Sequence, residues 1–532
     1  MSYYRDLRDY LAALEKAGKL VRIKNPINKD TQLHPLARLQ FRGLPEEERK
    51  AFLFEKVTDS RGKTYRGSVA LGVLAASRQI YALGMMCRPE EISPKWQQAQ
   101  MNPIKPRMVA KGPVQEEVHA GKNLMEHGGL DEFPIPISTP GYEVAPYFTA
   151  PYWVTRDPDT GVRNVGTYRA QLKSPTRTGM WPSKLDQHIN IHLEKCRKKG
   201  RNLEAAVIIG GAPNIGYVSV SRVPTGVDEY EVAGGLAGEP VELVKCRTVD
   251  LEVPAHAEIV IEGMVDTTHV EPESPFGEAM GYLGPRDLTY FFNVTGITHR
   301  KNPIWQTFLS QIPPSESSVL KLAWEYNTLA YLRYTLKMDF VLDVANHASS
   351  LTQRLMVVKL KRTTPENVQK ALKATADYLP AQGKIVVAVD EDIDPRDADM
   401  LNWAIAYRSQ PHRDFKIETL PAADLMDPSL APPWEMEKFT LGKNMPTSSR
   451  VLIDATMKWD YPPISLPKKE YMEEALKLWQ ENGLPPLKLK EPWWGTNLGY
   501  WSEEEEAQAQ LAVKGKYYRT GEEQEKQRKP VS

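Results

Sequence analysis

The spacing of apolar residues changes twice along the chain and divides it into three parts. Up to about residue 110, short helical and strand-like stretches alternate, and Leu7, Leu11 and Leu14 give an N-terminal helix one apolar face. From about 115 to 310, β-branched and aromatic runs separated by glycine and proline predict a β-rich region. After Pro314, strands alternate with helices, which predicts an α/β domain.

The middle region is predicted to consist almost entirely of strands. One helix is predicted to interrupt them, Lys184–Lys198, because its apolar residues recur every three or four positions. The predicted strands are Ala205–Ile209, Tyr217–Val220, Val241–Cys246, Glu258–Val265, Tyr290–Thr298 and Ile304–Leu309.

The region after Pro314 is predicted to contain both element types in alternation. The charged segment from Ser502 onward is predicted to end in a disordered stretch. The predicted helices are Ser318–Tyr334, Pro365–Tyr378 and Asp397–Tyr407, and the predicted strands are Phe340–Asn346, Leu355–Leu360, Lys384–Val389, Lys416–Leu420 and Val451–Asp454.

These patterns predict a mixed α/β, multi-domain protein. The predicted borders are an N-terminal α/β domain at 1–112, a β-rich domain at 113–315, a C-terminal α/β domain at 316–495 and a charged tail at 496–532. A chain of 532 residues is long enough to bury a substantial core without disulfide staples.

Composition narrows the class of protein further. The formal net charge is zero, so no overall field draws in nucleic acid or an anionic membrane. The three cysteines are far apart and form no CxxC pair, which argues against a disulfide framework and fits the reducing cytoplasm. No run of about 18 apolar residues occurs, so we expect no membrane span.

Three segments of the middle region combine charged or polar residues with apolar strand-like surroundings. They are 164–169, then 187–189 followed by 227–229, and finally 273–278. Charged groups in such surroundings are paired, ligated to a metal or exposed. For any single residue, a surface ion-pair network is an equally good explanation.

Two histidines on the predicted helix are a further candidate for metal binding. His188 and His192 are four residues apart, which puts both on one helix face. The alternative is that they are ordinary residues of an amphipathic helix, and the spacing alone favours that alternative.

Taken together and in this order, the three segments resemble those of the UbiD family of reversible decarboxylases. The most specific is Glu273-Ser274-Pro275-Phe276-Gly277-Glu278, and the runs 238–246, 250–254 and 257–263 are also family-like. The resemblance covers roughly residues 5 to 470. It implies that the β-rich domain is a split barrel that binds prenylated FMN, and that the C-terminal domain mediates oligomerisation.

The resemblance also implies a set of cofactor-binding residues. In the family, Asn, His and Glu hold a divalent metal, usually Mn2+, that contacts the flavin phosphate; the matching residues here are Asn164, His188 and Glu229. A K+ site is implied near Val165, Arg222 and Glu229. The full implied cofactor-binding set is Asn164, Val165, Thr167, Tyr168, Arg169, Gln187, His188, Ser221, Arg222 and Glu229.

Catalysis is implied to rest on Arg169, Glu273 and Glu278. Loss of CO2 from an sp2 carbon leaves an unstable carbanion, so an electron sink is needed, and the modified flavin supplies it. Arg169 is expected to hold the substrate carboxylate and to pair with Glu273. Glu278 is expected to protonate the carbon, which needs a raised pKa.

The expected activity is therefore reversible, non-oxidative decarboxylation of an aromatic, heteroaromatic or α,β-unsaturated acid, with aryl-coenzyme A carboxylates among the options. The segment 313–318 lacks a histidine that relatives acting on hydroxylated arenes carry, which puts a phenolic substrate in doubt. Expected partners are the acid, CO2, a UbiX-type flavin prenyltransferase as cofactor supplier, and further copies of the chain in a dimer or hexamer. The alternatives are a split-barrel flavin oxidoreductase and a non-catalytic subunit of a carboxylase complex.

Overall fold

The computed structural model describes residues 2–182, 187–223, 226–284, 286–347, 350, 354–378, 383–420, 427–432, 434–435 and 446–530. The first residues of the predicted helix Lys184–Lys198 therefore lie outside the described residues. Within the described ranges, no helix is both long enough and apolar enough to cross a bilayer.

The N-terminal part is a small mixed sheet packed against helices. Helix α1 begins where the Asp6 carboxylate accepts a hydrogen bond from the Asp9 amide, 2.8 Å away. It buries Leu7, Leu11 and Leu14, as their spacing predicted. The helices are α1 (Leu7–Lys16), α2 (Leu33–Gly43), α3 (Arg78–Gly84) and α4 (Ile92–Met101), and the strands are β1 (Leu20–Ile23), β2 (Ile27–Asn28), β3 (Ala51–Phe54), β4 (Val57–Thr58) and β5 (Ser68–Leu71).

The central part is built on one curled antiparallel sheet that includes ten of the described strands. The helices are α5 (His188–Lys198), α6 (Pro213–Val218) and α7 (Glu229–Ala237). The strands are β6 (Arg107–Met108), β7 (Glu117–Ala120), β8 (Tyr147–Phe148), β9 (Tyr152–Arg156), β10 (Arg163–Thr167), β11 (Ala170–Ser174), β12 (Arg177–Met180), β13 (Leu203–Ile209), β14 (Glu242–Lys245), β15 (Glu252–Pro254), β16 (Ile259–Val265), β17 (Glu271–Glu273), β18 (Phe276–Gly277), β19 (Leu283–Gly284), β20 (Asp287–His299) and β21 (Ile304–Thr307).

The order of the curled sheet brings distant segments together. Its main path runs β10, β9, β13, β16, β20, β12, β11, β8, with β7 and β17 also paired to β20. Strand β21 leaves this sheet and pairs in parallel with β5, so the chain returns to the N-terminal sheet. Strand β10 lies at one end of this path, and β8, paired with β11, lies at the other end.

Two predictions for the central part were wrong. Tyr217–Val220 is not a strand, because Pro213 starts helix α6 and Tyr217 and Val218 belong to it. Helix α7 was also missed. Its Gly234 and Gly235 are poor helix formers, but a Cβ there would lie 2.5 Å from the Ile104 carbonyl oxygen and 2.4 Å from the Ala99 carbonyl oxygen, respectively. Close packing of α7 against α4 and the segment that follows it therefore requires glycine at these two positions. The same glycines weaken the helical pattern in the sequence, so the helix was not predicted.

The C-terminal part is a five-stranded sheet with helices on both faces. The sheet order is β22, β23, β24, β26, β25, and β23, β24 and β26 are parallel. The helices are α8 (Glu316–Leu320), α9 (Ala323–Ala330), α10 (Pro365–Asp377), α11 (Ala398–Arg408), α12 (Pro411–Asp414), α13 (Lys469–Glu481), α14 (Glu503–Val513) and α15 (Tyr517–Glu525). The strands are β22 (Val341–Asn346), β23 (Leu355–Leu360), β24 (Ile385–Asp390), β25 (Phe415–Leu420) and β26 (Ser448–Ala455).

Alternation along the strands explains why both faces of this sheet are covered. Val386 and Ala388 pack with the apolar side of α10, while Val387 and Val389 pack with α11. The charged segment after Ser502 begins with helix α14, which the Ser502 side chain caps by accepting a hydrogen bond from the Glu505 amide.

Candidate active site

A cavity of about 1120 Å3 lies between the central sheet and the C-terminal part. Of the predicted site residues, ten line it: Asn164, Val165, Thr167, Tyr168, Arg169, Gln187, His188, Arg222, Glu229 and Glu278. Ser221 and Glu273 lie behind the wall. The fold thus collects residues that are more than 100 positions apart around one space.

Asn164, His188 and Glu229 form one pole of the cavity, and each comes from a different element. Asn164 projects from β10, while His188 and Glu229 are the first residues of α5 and α7. Nδ1 of His188 lies 3.8 Å from Oε1 of Glu229. Oε2 of Glu229 accepts a hydrogen bond of 2.9 Å from the Val165 amide, which ties α7 to β10.

An ion-pair network behind this pole fixes its geometry. Asp228 caps α7 by accepting from the Tyr230 amide, and its other oxygen holds Arg163 at 2.6 Å. Arg163 also donates to Glu252, which in turn pairs with Arg156. Because β10 alternates its side chains, Arg163 reaches this network while Asn164 faces the cavity.

The structure separates the two helix histidines. His188 lines the cavity, whereas Nδ1 of His192 lies 2.9 Å from the Thr155 hydroxyl in the protein interior. Burial lowers the pKa of His192 to about 4, so this imidazole is neutral at pH 7. The pair therefore does not chelate one ion through neighbouring helix turns.

The electrostatics of Glu229 show that this pole suits a cation. Burial raises the pKa of Glu229 to about 8, and the hydrogen bond from Val165 offsets only part of that rise. Asn164, His188 and Glu229 supply an amide oxygen, an imidazole nitrogen and a carboxylate. This is the donor set of a hard divalent ion, so the residues fit the expected metal.

Arg169 forms the opposite pole. Its guanidinium lies 3.8 Å from the centre of the Trp181 ring and 5.1 Å from that of Phe276, so both aromatic side chains are within cation–π distance. It donates two hydrogen bonds to Glu273, of 3.1 and 2.9 Å, and makes an ion pair with Glu278.

The two glutamates at Arg169 differ in what they face. Glu273, on β17, is only 1% exposed and does not line the cavity, whereas Glu278 does. Burial raises the pKa of Glu273, and the guanidinium of Arg169 opposes part of this rise. Glu273 therefore orients Arg169 from behind, and Glu278 is the carboxyl group that a bound molecule meets.

Ser221 and Arg222 lie on the turn that follows α6. The Ser221 hydroxyl donates to the Val218 carbonyl at 3.0 Å, so it does not line the cavity. Arg222 has a φ of 52°, in the left-handed region, and its guanidinium lies 5.4 Å from the ring centre of Trp324. Trp324 also donates to the Val220 carbonyl, which fastens the turn to α9.

Much of the cavity wall was absent from the sequence prediction. Those from the C-terminal part (Trp324, Tyr331, Arg354, Tyr378 and Lys384) meet the predicted residues only through the docking of that part, so no local spacing reveals them. The wall includes Trp181, Phe276, Phe308, Trp324, Tyr331, Arg354, Tyr378 and Lys384.

Comparison with known proteins identifies the family to which this architecture belongs. Models of the 3-octaprenyl-4-hydroxybenzoate carboxy-lyase match residues 11–99 (N-terminal domain), 107–313 (Rift-related domain) and 322–455 (C-terminal domain). The chain belongs to the UbiD family. A protein of Aquifex aeolicus with no described function is 31% identical over 504 residues, which cover 90% of this chain and 99% of that protein.

Solved structures of UbiD-class enzymes share the fold. HmfF from Pelotomaculum thermopropionicum in complex with FMN is 31% identical, with a TM-score of 0.75 over 88% of this chain and 99% of HmfF. An evolved dimeric form of HmfF, in complex with prFMN, is 32% identical, with a TM-score of 0.73 over 87% of this chain and 97% of that one. Vanillic acid decarboxylase of Sedimentibacter hydroxybenzoicus in its closed form is 27% identical, with a TM-score of 0.77 over 91% of this chain and 100% of that one. The predicted family and fold class are confirmed, and this UbiD protein is a carboxy-lyase-type enzyme.

Proposed function

We propose that this UbiD enzyme decarboxylates an aromatic, heteroaromatic or α,β-unsaturated acid without net oxidation, using prenylated FMN. The observation that carries the proposal is the Arg169 guanidinium, which lies against the Trp181 ring and pairs with Glu273 and Glu278 at the wall of the cavity. A cation presented in this way suits the carboxylate of a flat acid. The flavins bound by the HmfF relatives support the choice of cofactor.

The cofactor is proposed to bind between the two poles. Asn164, His188 and Glu229 would hold a divalent ion such as Mn2+ near the phosphate group, and Val165, Arg222 and Glu229 would border a K+ site. When bound, prenylated FMN supplies an electron sink for the carbon that loses CO2.

The protein side of the reaction then falls to three residues. Arg169 binds and orients the substrate carboxylate, and Glu273 keeps the guanidinium in place. The C–C bond to the carboxylate breaks, CO2 leaves, and the electron pair stays with the substrate carbon. Glu278, in its protonated form, delivers a proton to that carbon, and the resulting carboxylate takes up a new proton from solvent.

The surroundings favour a free acid over a coenzyme A thioester. Aromatic wall residues such as Trp181, Phe276 and Phe308 suit a planar conjugated substrate. Three basic residues near the end of α5, which could otherwise attract an anionic carrier, are paired with acids: Lys195 with Asp157, Arg197 with Glu194, and Lys199 with Asp159.

The two alternatives lack a supporting observation. The contact of Arg169 with both Glu273 and Glu278 keeps the decarboxylase residues together, which a non-catalytic subunit does not need. An oxidoreductase needs a reductant site, and the sequence has no dinucleotide-binding fingerprint. We further propose that a UbiX-type prenyltransferase supplies the cofactor and that the chain forms a homodimer or homohexamer.

The test is co-expression with a flavin prenyltransferase, followed by mass and absorbance analysis of the cofactor, metal analysis, and CO2 release from a panel of aromatic, heteroaryl and acrylic acids. We expect prenylated FMN, about one divalent ion per chain at this site, and CO2 release from a subset of the panel. Fully loaded protein that is inactive on the whole panel contradicts the proposal. Ordinary flavin that NAD(P)H reduces supports the oxidoreductase instead.

A further inference from the structure

A second cluster of metal-ligand side chains lies away from the cavity, at the edge of the curled sheet. It comprises His119 on β7, His299 at the end of β20 and Glu132 on the 3-10 turn Gly129–Glu132. None of the three lines the cavity. Strands β7 and β20 are antiparallel, with His119 opposite Ile297 and His299 opposite Glu117, so the two imidazoles lie on the same side, one diagonal step apart.

The distances within this cluster match those around one tetrahedral ion. The Nε2 atoms of His119 and His299 are 3.2 Å apart, and Nε2 of His299 is 3.6 Å from Oε1 of Glu132. A tetrahedral zinc ion with bonds of about 2.0–2.1 Å separates its ligand atoms by about 3.3 Å. One ion at the centre of the three atoms therefore requires only small side-chain shifts.

The hydrogen bonding of His299 leaves the correct nitrogen available. Nδ1 of His299 lies 2.8 Å from the Arg300 carbonyl oxygen, so Nδ1 carries the proton and Nε2 carries a lone pair. An imidazole held by a backbone carbonyl through its other nitrogen is the usual arrangement of metal-binding histidines.

His119 is buried and directs its Nε2 atom at His299. It is 5% exposed, and the contact between the two Nε2 atoms needs a proton on one of them, which a bound ion displaces. The Nδ1 atom of His119, on the far side of the ring, has no hydrogen-bond partner among the residues that the structure describes. His127 lies edge-on to His119, with ring centres 4.8 Å apart, and His119, Glu126 and His127 form an overlapping triad of ligands.

We propose that His119, His299 and Glu132 bind a zinc-like divalent ion in a structural site, with His127 or a water molecule in the fourth position. Two imidazoles and one carboxylate suit Zn2+, whereas the amide, imidazole and carboxylate at the active site suit a harder octahedral ion. The ion links the turn Gly129–Glu132 to two strands of the curled sheet. The two sites are independent, so the failure of one leaves the other standing.

The experiment titrates metal-free, full-length protein with Co2+ and records the visible ligand-field band, which is strong for tetrahedral and weak for octahedral coordination. We expect a strong band at one equivalent, displaced by Zn2+, that is lost in His299→Gln and in His119→Gln. It should persist in His188→Gln, which alters the active-site pole. The matched control is His269→Gln, since His269 is an exposed histidine elsewhere on the same sheet domain.

Glu132→Gln guards against misfolding, because it leaves both buried imidazoles in place and its side chain is 26% exposed. We expect it to weaken Co2+ binding about 10- to 100-fold without changing the melting temperature of the metal-free protein. A band lost in His188→Gln but kept in His299→Gln overturns the proposal. Equal binding by all variants, which indicates adventitious binding only, overturns it as well.

Discussion

Two buried glutamates near the starts of helices show what distinguishes the active-site pole from the rest of the molecule. Glu229 on α7 has one backbone donor and a histidine within 4 Å, and burial raises its pKa to about 8. Glu325 on α9 is also buried, but Arg78 and Arg396 outweigh burial and hold its pKa below the usual range. The protein itself compensates the charge of Glu325, whereas the cation that compensates Glu229 is, by our proposal, a bound metal ion.

The difference teaches how to separate a functional charge from a structural one. Both are glutamates inside apolar surroundings, so composition and burial do not distinguish them. The number of cationic partners does, because a buried charge needs compensation. The same contrast holds for the imidazoles of α5, since His192 is satisfied by Thr155 and His188 faces the cavity.

The largest effect is expected at Glu278. In enzyme loaded with cofactor and metal, Glu278→Gln should lower kcat for decarboxylation about 10²- to 10⁴-fold, because the amide cannot deliver a proton. The measurement is CO2 release, with cofactor absorbance and metal content unchanged. Glu194→Gln, on the exposed side of α5, is the control. A near-normal kcat in Glu278→Gln would show that Glu278 is not the proton donor and only forms an ion pair with Arg169.

Glu325→Gln should lower the free energy of unfolding by about 3–5 kcal/mol, because it leaves Arg78 and Arg396 without their buried counter-charge. Denaturant titration of the metal-free protein measures this. Glu474→Gln, at an exposed position of α13, should leave the unfolding curve unchanged. A loss below about 1 kcal/mol contradicts the view that this glutamate is structurally compensated.

Glu229→Gln should act in the opposite direction on the metal-free protein. The folded pKa of about 8 exceeds the ordinary 4.5, so the charged carboxylate disfavours folding and stability falls as pH rises from about 4.5 to about 8. At pH 7 the variant should gain about 2–3 kcal/mol and lose this pH dependence, while its binding of a divalent ion at the active site disappears. Destabilisation by Glu229→Gln would refute the comparison.

The smallest effect concerns His192. Its folded pKa of about 4 lies below the ordinary 6.5, so the unfolded chain takes up the proton first and stability falls as pH drops between these values. Between pH 6.5 and 5, the free energy of unfolding of His192→Asn should fall by about 2 kcal/mol less than that of the unchanged protein. Denaturant unfolding at each pH measures this difference. An unchanged slope means that His192 is not the buried neutral group that the structure describes.

The sequence predicted most of the strands and helices, because apolar alternation survives in strands such as β13 and β23. It failed at α6 and α7, where proline and close-packed glycines replace the usual helix pattern. The candidate site was found through motif order. The wall formed by Trp324, Arg354 and their neighbours was not found, since it depends on how separate parts of the chain pack.

The positions of the two glutamates at Arg169 also needed coordinates. The family resemblance gave Glu273 and Glu278 different roles, but residue spacing does not. The fold shows that Glu273 is buried away from the cavity and that Glu278 lines it. Likewise, the inward hydrogen bond of Ser221 and the network of Arg163 with Asp228 have no signature in residue spacing.

The return of β21 to the N-terminal sheet has a consequence for synthesis in the cell. Strand β5 ends at Leu71 and its neighbour β21 ends at Thr307, so the edge of β5 stays open while more than 200 further residues are added. At about 5–20 residues per second, this interval lasts on the order of 10–50 s. During that time the edge of β5 around Val69 lacks the strand that pairs with it in the folded protein. We therefore expect chaperones that shield nascent chains to bind this protein before its N-terminal sheet is complete.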